Sequence, residues 1–373
     1  MTYHDPEAVS HDVSSSGATD GLTVVIPAYN EGTWVARAVT AVRQAAAAAQ
    51  WGVRIVVVDD GSTDAQSVDV VNDLDRAPDV EVVRQSNSGR FAARAKGIAA
   101  VSTPYVLLLD SRVEVDVDSL RRIREAVETE GLEVWNYDVT PGSRSLGAMF
   151  WTGITKVWWP DYFRNPRRVS FGAHDFGRFP KGTGAFFAPV ALLREAMEEF
   201  DSHFDDPSLA SDDTRLLLGV ASRRPITLSP EVTCRHHVKS GVRSWCRQCF
   251  YRGTTFVDGY LGERNTASRL LGVMAMAAVA GGALTVRRPR LAAGALVAGG
   301  AAGAGATRRS GGSAAESASV GLLSGPFGVL FAAGIVRGLR MATQPRAATG
   351  LRGNDEDDPP VLGREQRTSR PTG

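Results

Sequence analysis

Asp59 and Asp60 stand side by side at the end of the run Val56-Val57-Val58 and are followed by Gly61-Ser62-Thr63-Asp64. Adjacent carboxylates repel, so a purely structural role is unfavourable unless a cation or a donor-rich ligand compensates. A carboxylate there can accept the imide N–H of uracil, which tells uracil from cytosine, and Gly61 permits close backbone approach. Asp60 or Ser62 can also serve as the N-cap of a following helix, and the two roles are compatible. A further acid, Asp110, closes the run Tyr105-Val106-Leu107-Leu108-Leu109 and precedes Ser111-Arg112. The pair Asp212-Asp213 precedes Thr214-Arg215-Leu216, where acids at a helix start are favoured by the macrodipole.

Cationic groups complement these acids. In Asn87-Ser88-Gly89-Arg90-Phe91-Ala92-Ala93-Arg94, the two arginines are four apart and share a helix face. Near a helix N-terminus they suit an anionic diphosphate; a solvated basic face is the plainer alternative. Cys234-Arg235-His236-His237 and Cys246-Arg247-Gln248-Cys249 invite a tetrahedral zinc site. The second pair lies in an aromatic run from Trp245 to Tyr251, where cysteine also serves as buried apolar surface.

The elements that must position these groups alternate. Leu22–Pro27, Arg54–Asp59, Val80–Arg84 and Tyr105–Asp110 read as buried strands, with Pro27 stopping the first. Helical stretches at 34–50 and 91–101 lie between them. This order predicts a doubly wound, mostly parallel α/β sheet, with ligands beyond the carboxyl ends of the strands. Those ends carry Tyr29-Asn30-Glu31, Asp59-Asp60-Gly61-Ser62 and Asp110-Ser111-Arg112. Residues 113–260 read as the second half of the same domain, carrying specificity.

In order and spacing, residues 22–112 resemble the family 2 glycosyltransferases, which have the GT-A fold. Pro27, Tyr29, Asn30 and Glu31 match the pattern P-x-Y-N-E; Asp59, Asp60, Gly61, Ser62 and Asp64 match D-D-G-S-x-D; Gly89, Ala93, Arg94 and Gly97 match G-x-x-x-A-R-x-x-G. The resemblance implies that Asp60, with Asp59, binds the base, that Arg94 helps the nucleotide, and that Asp110 holds a metal–diphosphate group. Pro27, Tyr29 and Glu31 of the first motif, and the cations Arg90 and Arg112, are further expected nucleotide-sugar-binding residues. Downstream, Gly182-Thr183-Gly184-Ala185-Phe186, Phe200-Asp201-Ser202-His203-Phe204 and Asp212-Asp213 resemble the family's acceptor half. There Asp213 matches the catalytic base, with Asp212 where the family has Glu. Inverting transfer needs such a base, so that an alkoxide-like oxygen attacks the anomeric carbon opposite the departing diphosphate.

One position departs from the pattern. The second carboxylate of the family's D-x-D is Arg112 here. A Mg²⁺ or Mn²⁺ ion bridging to diphosphate uses one or two carboxylates, so Asp110 with His236 or His237 is the expected ligand set. The Arg112 guanidinium itself neutralising diphosphate is the alternative, and loss of catalysis is a third. Gln248 and Arg252 lack the spacing and the tryptophan of the processive members' Q-x-x-R-W. The expected function is inverting transfer of a sugar from a nucleotide-diphosphate donor, of UDP type, to a membrane-proximal glycan or lipid-linked acceptor. A non-catalytic nucleotide-sugar-binding or scaffold protein of the same fold is the rival. A sugar nucleotidyltransferase would need a Gly-rich basic loop after the first strand, which Ala28-Tyr29-Asn30-Glu31 does not supply.

Composition sets the surroundings. Lys+Arg 42 against Asp+Glu 41 leaves a net charge of +1, so no global field draws nucleic acid. Three cysteines suggest a reducing compartment without a disulfide framework. Residues 1–20 read as a disordered leader with no signal-peptide core, residues 21–260 as the GT-A domain, and residues 341–373 as a disordered tail. Between them, 270–286, 291–306 and 318–336 are uncharged and flanked by arginine. Residues 268–340 are therefore expected to be membrane-associated helices, placing the protein at the cell membrane with its catalytic domain on the cytoplasmic side.

Overall fold

A computed structural model describes residues 21–204, 209, 212–261 and 286–343. The chain order is β1 (Leu22–Ala28), α1 (Thr33–Ala49), β2 (Val53–Asp59), α2 (Ala65–Leu74), β3 (Val80–Arg84), α3 (Arg90–Ala99), β4 (Tyr105–Leu109) and β5 (Val113–Val115). It continues with α4 (Ser119–Glu130), β6 (Trp135–Pro141), α5 (Leu146–Trp158), α6 (Pro160–Arg164), β7 (Val169–Phe171), β8 (Ala185–Pro189) and α7 (Val190–Glu198). Then come α8 (Asp212–Arg223), β9 (Ile226–His236), α9 (Val242–Tyr260), α10 (Pro289–Arg309) and α11 (Ala314–Ala342).

The strands form one nine-stranded sheet in the order β3-β2-β1-β4-β8-β6-β9-β5, with β7 on β9. The first four run parallel, β8 is reversed, and β6 and β9 run parallel to each other. The sheet is thus mixed α/β and mostly parallel, as the GT-A resemblance implies. Period-2 side-chain alternation fills two cores. Val24, Ile26, Ile55, Val57 and Leu107 face α1 and α4, through residues such as Val39 and Ile123. Val25, Val56, Val58 and Leu108 face the other way, toward Ala93 of α3, Leu193 of α7 and Leu217 of α8. Both faces are covered, which is why these strands read as unbroken apolar runs.

Pro27 does not stop β1, contrary to expectation. The strand runs on to Ala28, and Pro27 pairs with Val58 of β2. The pairing with β4 has ended at Val25, so Pro27 sits where the ladder is one-sided and a residue without N–H is tolerated.

Of the three expected apolar stretches, residues 270–285 lie outside the described residues; the second forms α10 and the third lies within α11. Among the described residues α11 alone is long and apolar enough to cross a membrane. Its start is anchored by a capping box between Ser313 and Glu316, and Lys156 of α5 holds the Glu316 carboxylate at 2.9 and 3.0 Å. Farther along, α11 and α9 meet backbone to backbone. A Cβ on Gly334 would lie 2.2 Å from the Phe250 carbonyl oxygen, and one on Gly253 would lie 2.1 Å from that of Phe331. Gly334→Leu should therefore destabilise the fold by the ~1–3 kcal/mol of overpacking or more, since backbone is the obstacle, and lower the melting temperature. Gly328→Leu, where a Cβ meets nothing within 4 Å, should melt with the parent. Equal melting of both variants would show that the helices are not docked this way.

Candidate active site

The loops after β1 and β2 are laced together. Asn30 adopts φ 50° and its side-chain oxygen accepts from the backbone N–H groups of Thr63 (2.8 Å) and Asp64 (3.2 Å). Its own N–H donates to the Ser62 hydroxyl at 3.0 Å. The helix cap falls to Asp64 rather than to Asp60 or Ser62. Its carboxylate accepts from the Ser67 N–H at 2.9 Å, and these bonds hold the Asp64 pKa below the usual carboxylate value. That frees the acidic pair from capping duty.

Asp59 and Asp60 then divide the work. Asp60, 4% exposed, accepts from Gln85 Nε2 (2.7 Å) and from the N–H groups of Ser88 (2.8 Å) and Gly89 (2.9 Å). It staples the loop that leads into α3. Asp59 accepts at Oδ1 from the Ser62 N–H at 3.0 Å; no donor among the described residues reaches its Oδ2. Gly61 joins them at φ 76°, with a Cβ there placed 2.9 Å from the Asn87 nitrogen, so both conformation and space demand glycine. Pro27 is buried and Tyr29, 42% exposed, stands at the rim.

Arg94, Arg90 and Asp110 form the second cluster. Arg94 is 1% exposed; its Nη2 donates to Asp110 Oδ1 at 2.5 Å and to the Thr183 carbonyl at 3.2 Å. Arg90 Nη1 lies 3.8 Å from Asp110 Oδ2. Arg94 reaches the cleft through Asp110, while Arg90, on the next turn toward the helix start, is the more open cation.

Arg112 is drawn elsewhere. Its Nε donates to Glu31 Oε2 at 2.5 Å, its guanidinium lies 5.1 Å from the Trp34 ring centre, and Lys239 holds the other Glu31 oxygen at 2.8 Å. Glu31 is thus an ion-pair hub. His237 joins this group, with its ring 4.6 Å from Trp34 and Nε2 3.3 Å from Glu114. His236 lies within the field of Asp110; burial lowers its pKa, Asp110 opposes that shift, and Arg252, His237 and Arg112 reinforce it. Of the two candidate histidines, His236 therefore shares a neighbourhood with Asp110, and as a neutral imidazole.

Asp110 would offer a single carboxylate to a Mg²⁺ or Mn²⁺ ion bridging to diphosphate, within the one or two that such an ion uses. Among the described residues no three His, Cys, Asp or Glu side chains converge, and Asp110 is ion-paired with two arginines. Zinc is disfavoured because the cysteines do not converge: Cys234 is buried in one core with Val232 and Tyr137, and Cys249 in another with Phe150 and Trp245.

On the acceptor side, Asp212 and Asp213 open α8; their side chains lie outside the described residues. The next residue, Thr214, borders a cavity of about 350 Å³ together with Arg90, Lys181 and Arg252. Asp258 of α9, fully buried, accepts from the Ser202 hydroxyl (3.0 Å) and the His203 N–H (2.6 Å), fixing the segment ahead of α8. Sequence reasoning sets Arg252 aside on its spacing and gives no role to Lys181 or Asp258. Each is a lone polar residue whose meaning comes only from packing of distant elements.

Residues 23–190 match the family model described as Glycosyl transferase family 2. The chain is 38% identical over 107 residues to the pre-mycofactocin glycosyltransferase of Mycobacterium tuberculosis, covering 28% of this chain and 21% of that protein. It is 35% identical over 232 residues to the succinoglycan biosynthesis protein ExoO of Rhizobium meliloti, covering 59% and 61% respectively. It thus spans about a fifth of the first relative's length and three fifths of the second's. Among solved structures, S. aureus TarS 1-349 in complex with UDP-GlcNAc is similar at 15% identity and TM-score 0.44, over 69% of this chain and 71% of that one.

Proposed function

Residues 23–190 make this chain a member of the family 2 glycosyltransferases, and from that premise we propose that it moves a sugar, with inversion, from a UDP-type donor to a membrane-proximal glycan or lipid-linked acceptor. The observation that carries this reading is the meeting of Asp59, Asp60 and the Asp110–Arg94–Arg90 cluster at one edge of the sheet. Asp59 Oδ2 accepts the uracil imide N–H, Asp60 and Gly61 hold the loop that lets the base approach, and Tyr29 flanks it. Arg90 faces the leaving diphosphate, with Arg94 and Asp110 setting its position. Asp213 takes the proton of the acceptor hydroxyl; the freed oxygen forms a bond to the anomeric carbon as the bond from that carbon to the diphosphate oxygen breaks. The electron pair leaves with the diphosphate, whose growing charge meets the arginines.

The helices behind the site support a membrane location. The outer surfaces of α10 and α11 expose Leu291, Leu296, Val297, Leu322 and Val329, an apolar area of the kind that marks a membrane or partner surface. The inner face of α11 stays docked on α5 and α9, from Val320 against Gly153 to Gly338 against Thr254. Such a pair suits a monotopic seat in the interface better than a crossing, with the catalytic domain at the cytoplasmic face.

Nucleotide binding tests the donor half. UDP should raise the melting temperature of the parent protein by mass action. Asp59→Asn should weaken UDP binding about tenfold, the value of one charge-assisted hydrogen bond, while melting near the parent. Asp60→Asn should lower stability as well, because it loosens three donors. An unchanged UDP response in Asp59→Asn would remove the base assignment. Release of free sugar from UDP-sugars separates an enzyme from a binding protein.

A further inference from the structure

The donor chemistry uses only Arg90 of the residues that line the cavity beside Thr214. Three cations, Arg90, Lys181 and Arg252, sit among its lining residues. Its remaining wall is largely aromatic, with Trp151 and Trp158 of α5, Phe256 of α9, and Phe327 and Phe331 of α11. Its volume falls in the range of small-molecule sites. Arg252 and Lys181 each lie against an aromatic ring of the lining, Trp151 and Trp159 respectively. The Arg252 guanidinium lies 4.5 Å from the Trp151 ring centre. Lys181 Nζ lies 4.0 Å from that of Phe176 and donates to the Phe176 and Phe179 carbonyl oxygens. Burial lowers its pKa to about 7, and an arriving anion favours its charged form.

We propose that this cavity seats an acceptor carried on a lipid phosphate or diphosphate, its head group held by Arg252 and Lys181 and the start of its chain lying among Trp151, Trp158, Phe327 and Phe331. The acceptor role rests on the transferase reading above. Charge complementarity selects an anion, and the aromatic wall selects an apolar neighbour to that anion. The wall's position selects a lipid over a free saccharide. Phe327 and Phe331 project from the helix whose opposite side exposes Leu322 and Val329, so α11 is apolar on both faces. One helix thus borders the surface apolar area and the cavity that reaches Arg90 and Thr214 at the donor site.

Full-length protein in phosphatidylcholine nanodiscs, titrated calorimetrically against empty discs, tests this. Farnesyl phosphate should bind saturably, with farnesol and inorganic phosphate each at least tenfold weaker. Arg252→Met removes a charged partner and Ile154→Trp fills the cavity; each should weaken farnesyl phosphate about tenfold or more. The temperature shift given by UDP reports in each variant that the fold and donor half persist. Binding of farnesyl phosphate by both variants as tight as the parent's, or equal binding to empty discs, overturns the proposal. So does maltotetraose binding that Ile154→Trp abolishes while farnesyl phosphate fails to bind. A parent protein that takes UDP but not farnesyl phosphate overturns this inference alone. One that takes farnesyl phosphate but not UDP overturns the acceptor role together with the transferase reading.

Discussion

Asp213→Asn should reduce sugar transfer by a factor of about 10²–10⁴ while leaving UDP binding unchanged, because it removes the group assigned to take the acceptor's proton. The amide matches the carboxylate in size and can accept a hydrogen bond, but it cannot accept a proton at neutral pH. Location supports the assignment: Asp213 lies in the first turn of α8, next to Thr214, which borders the cavity shared with Arg90. A merely structural acid at that position would stabilise the helix N-terminus by ~0.3–1 kcal/mol. Its loss would then lower the melting temperature slightly and spare turnover. Asp212→Asn supplies that comparison on the same helix turn. The decisive readout is product formation at saturating donor and acceptor, with UDP-induced stabilisation as the control for folding. Turnover of Asp213→Asn equal to the parent's would remove Asp213 from the mechanism.

What the sequence disclosed, and what it hid, follows from the range of the interactions. The strand-end acids were legible because each belongs to a short segment whose apolar run, glycine and polar residue are neighbours in the chain. The same locality exposed α3, whose Arg90 and Arg94 share a face. Interactions across the sheet were not legible. Nothing near Arg112 announces that Glu31, 81 positions away, and Trp34 will claim it, so its expected approach to diphosphate was a reading of adjacency alone. His236 and His237 looked equivalent, yet strand alternation sends them to different neighbours: one into the field of Asp110, the other onto Trp34 and Glu114. Asp60 reads as a base-binding acid in the sequence, but nothing local shows that its carboxylate also accepts three hydrogen bonds from 85–89, a loop whose fold depends on strand pairing. The apolar helices were legible in composition but not in packing. Gly334 and Gly338 of α11 stand four apart, a small-residue spacing that lets helix backbones approach, but only the packing shows that α9 is the partner.

Arg94→Met should be the most damaging change outside the reacting groups, lowering both stability and transfer. The parent buries this guanidinium almost completely and gives it Asp110 and the Thr183 carbonyl as partners. Removing one member of a buried pair costs ~3–5 kcal/mol, since the other is left uncompensated. Asp110 is 23% exposed and keeps Arg90 at 3.8 Å, so water and the second arginine place the loss near the lower end of that range. Arg43→Met provides the contrast. Arg43 and Asp79 sit at a shorter 2.6 Å, but with side chains 43% and 35% exposed, and solvent-screened pairs are worth under about 1 kcal/mol. Burial rather than distance therefore sets the order, and denaturant melts should show Arg94→Met well below Arg43→Met. The functional part separates in nucleotide titrations. With Asp110 released, the diphosphate end of the cleft loses its shape while the Asp59 end does not, so UDP-sugar binding should weaken at least tenfold and UMP binding far less. If Arg94→Met weakened UMP and UDP-sugar equally, Arg94 would be a general scaffold residue. If it melted like Arg43→Met and still bound UDP-sugar like the parent, the Asp110 cluster would not be the diphosphate site.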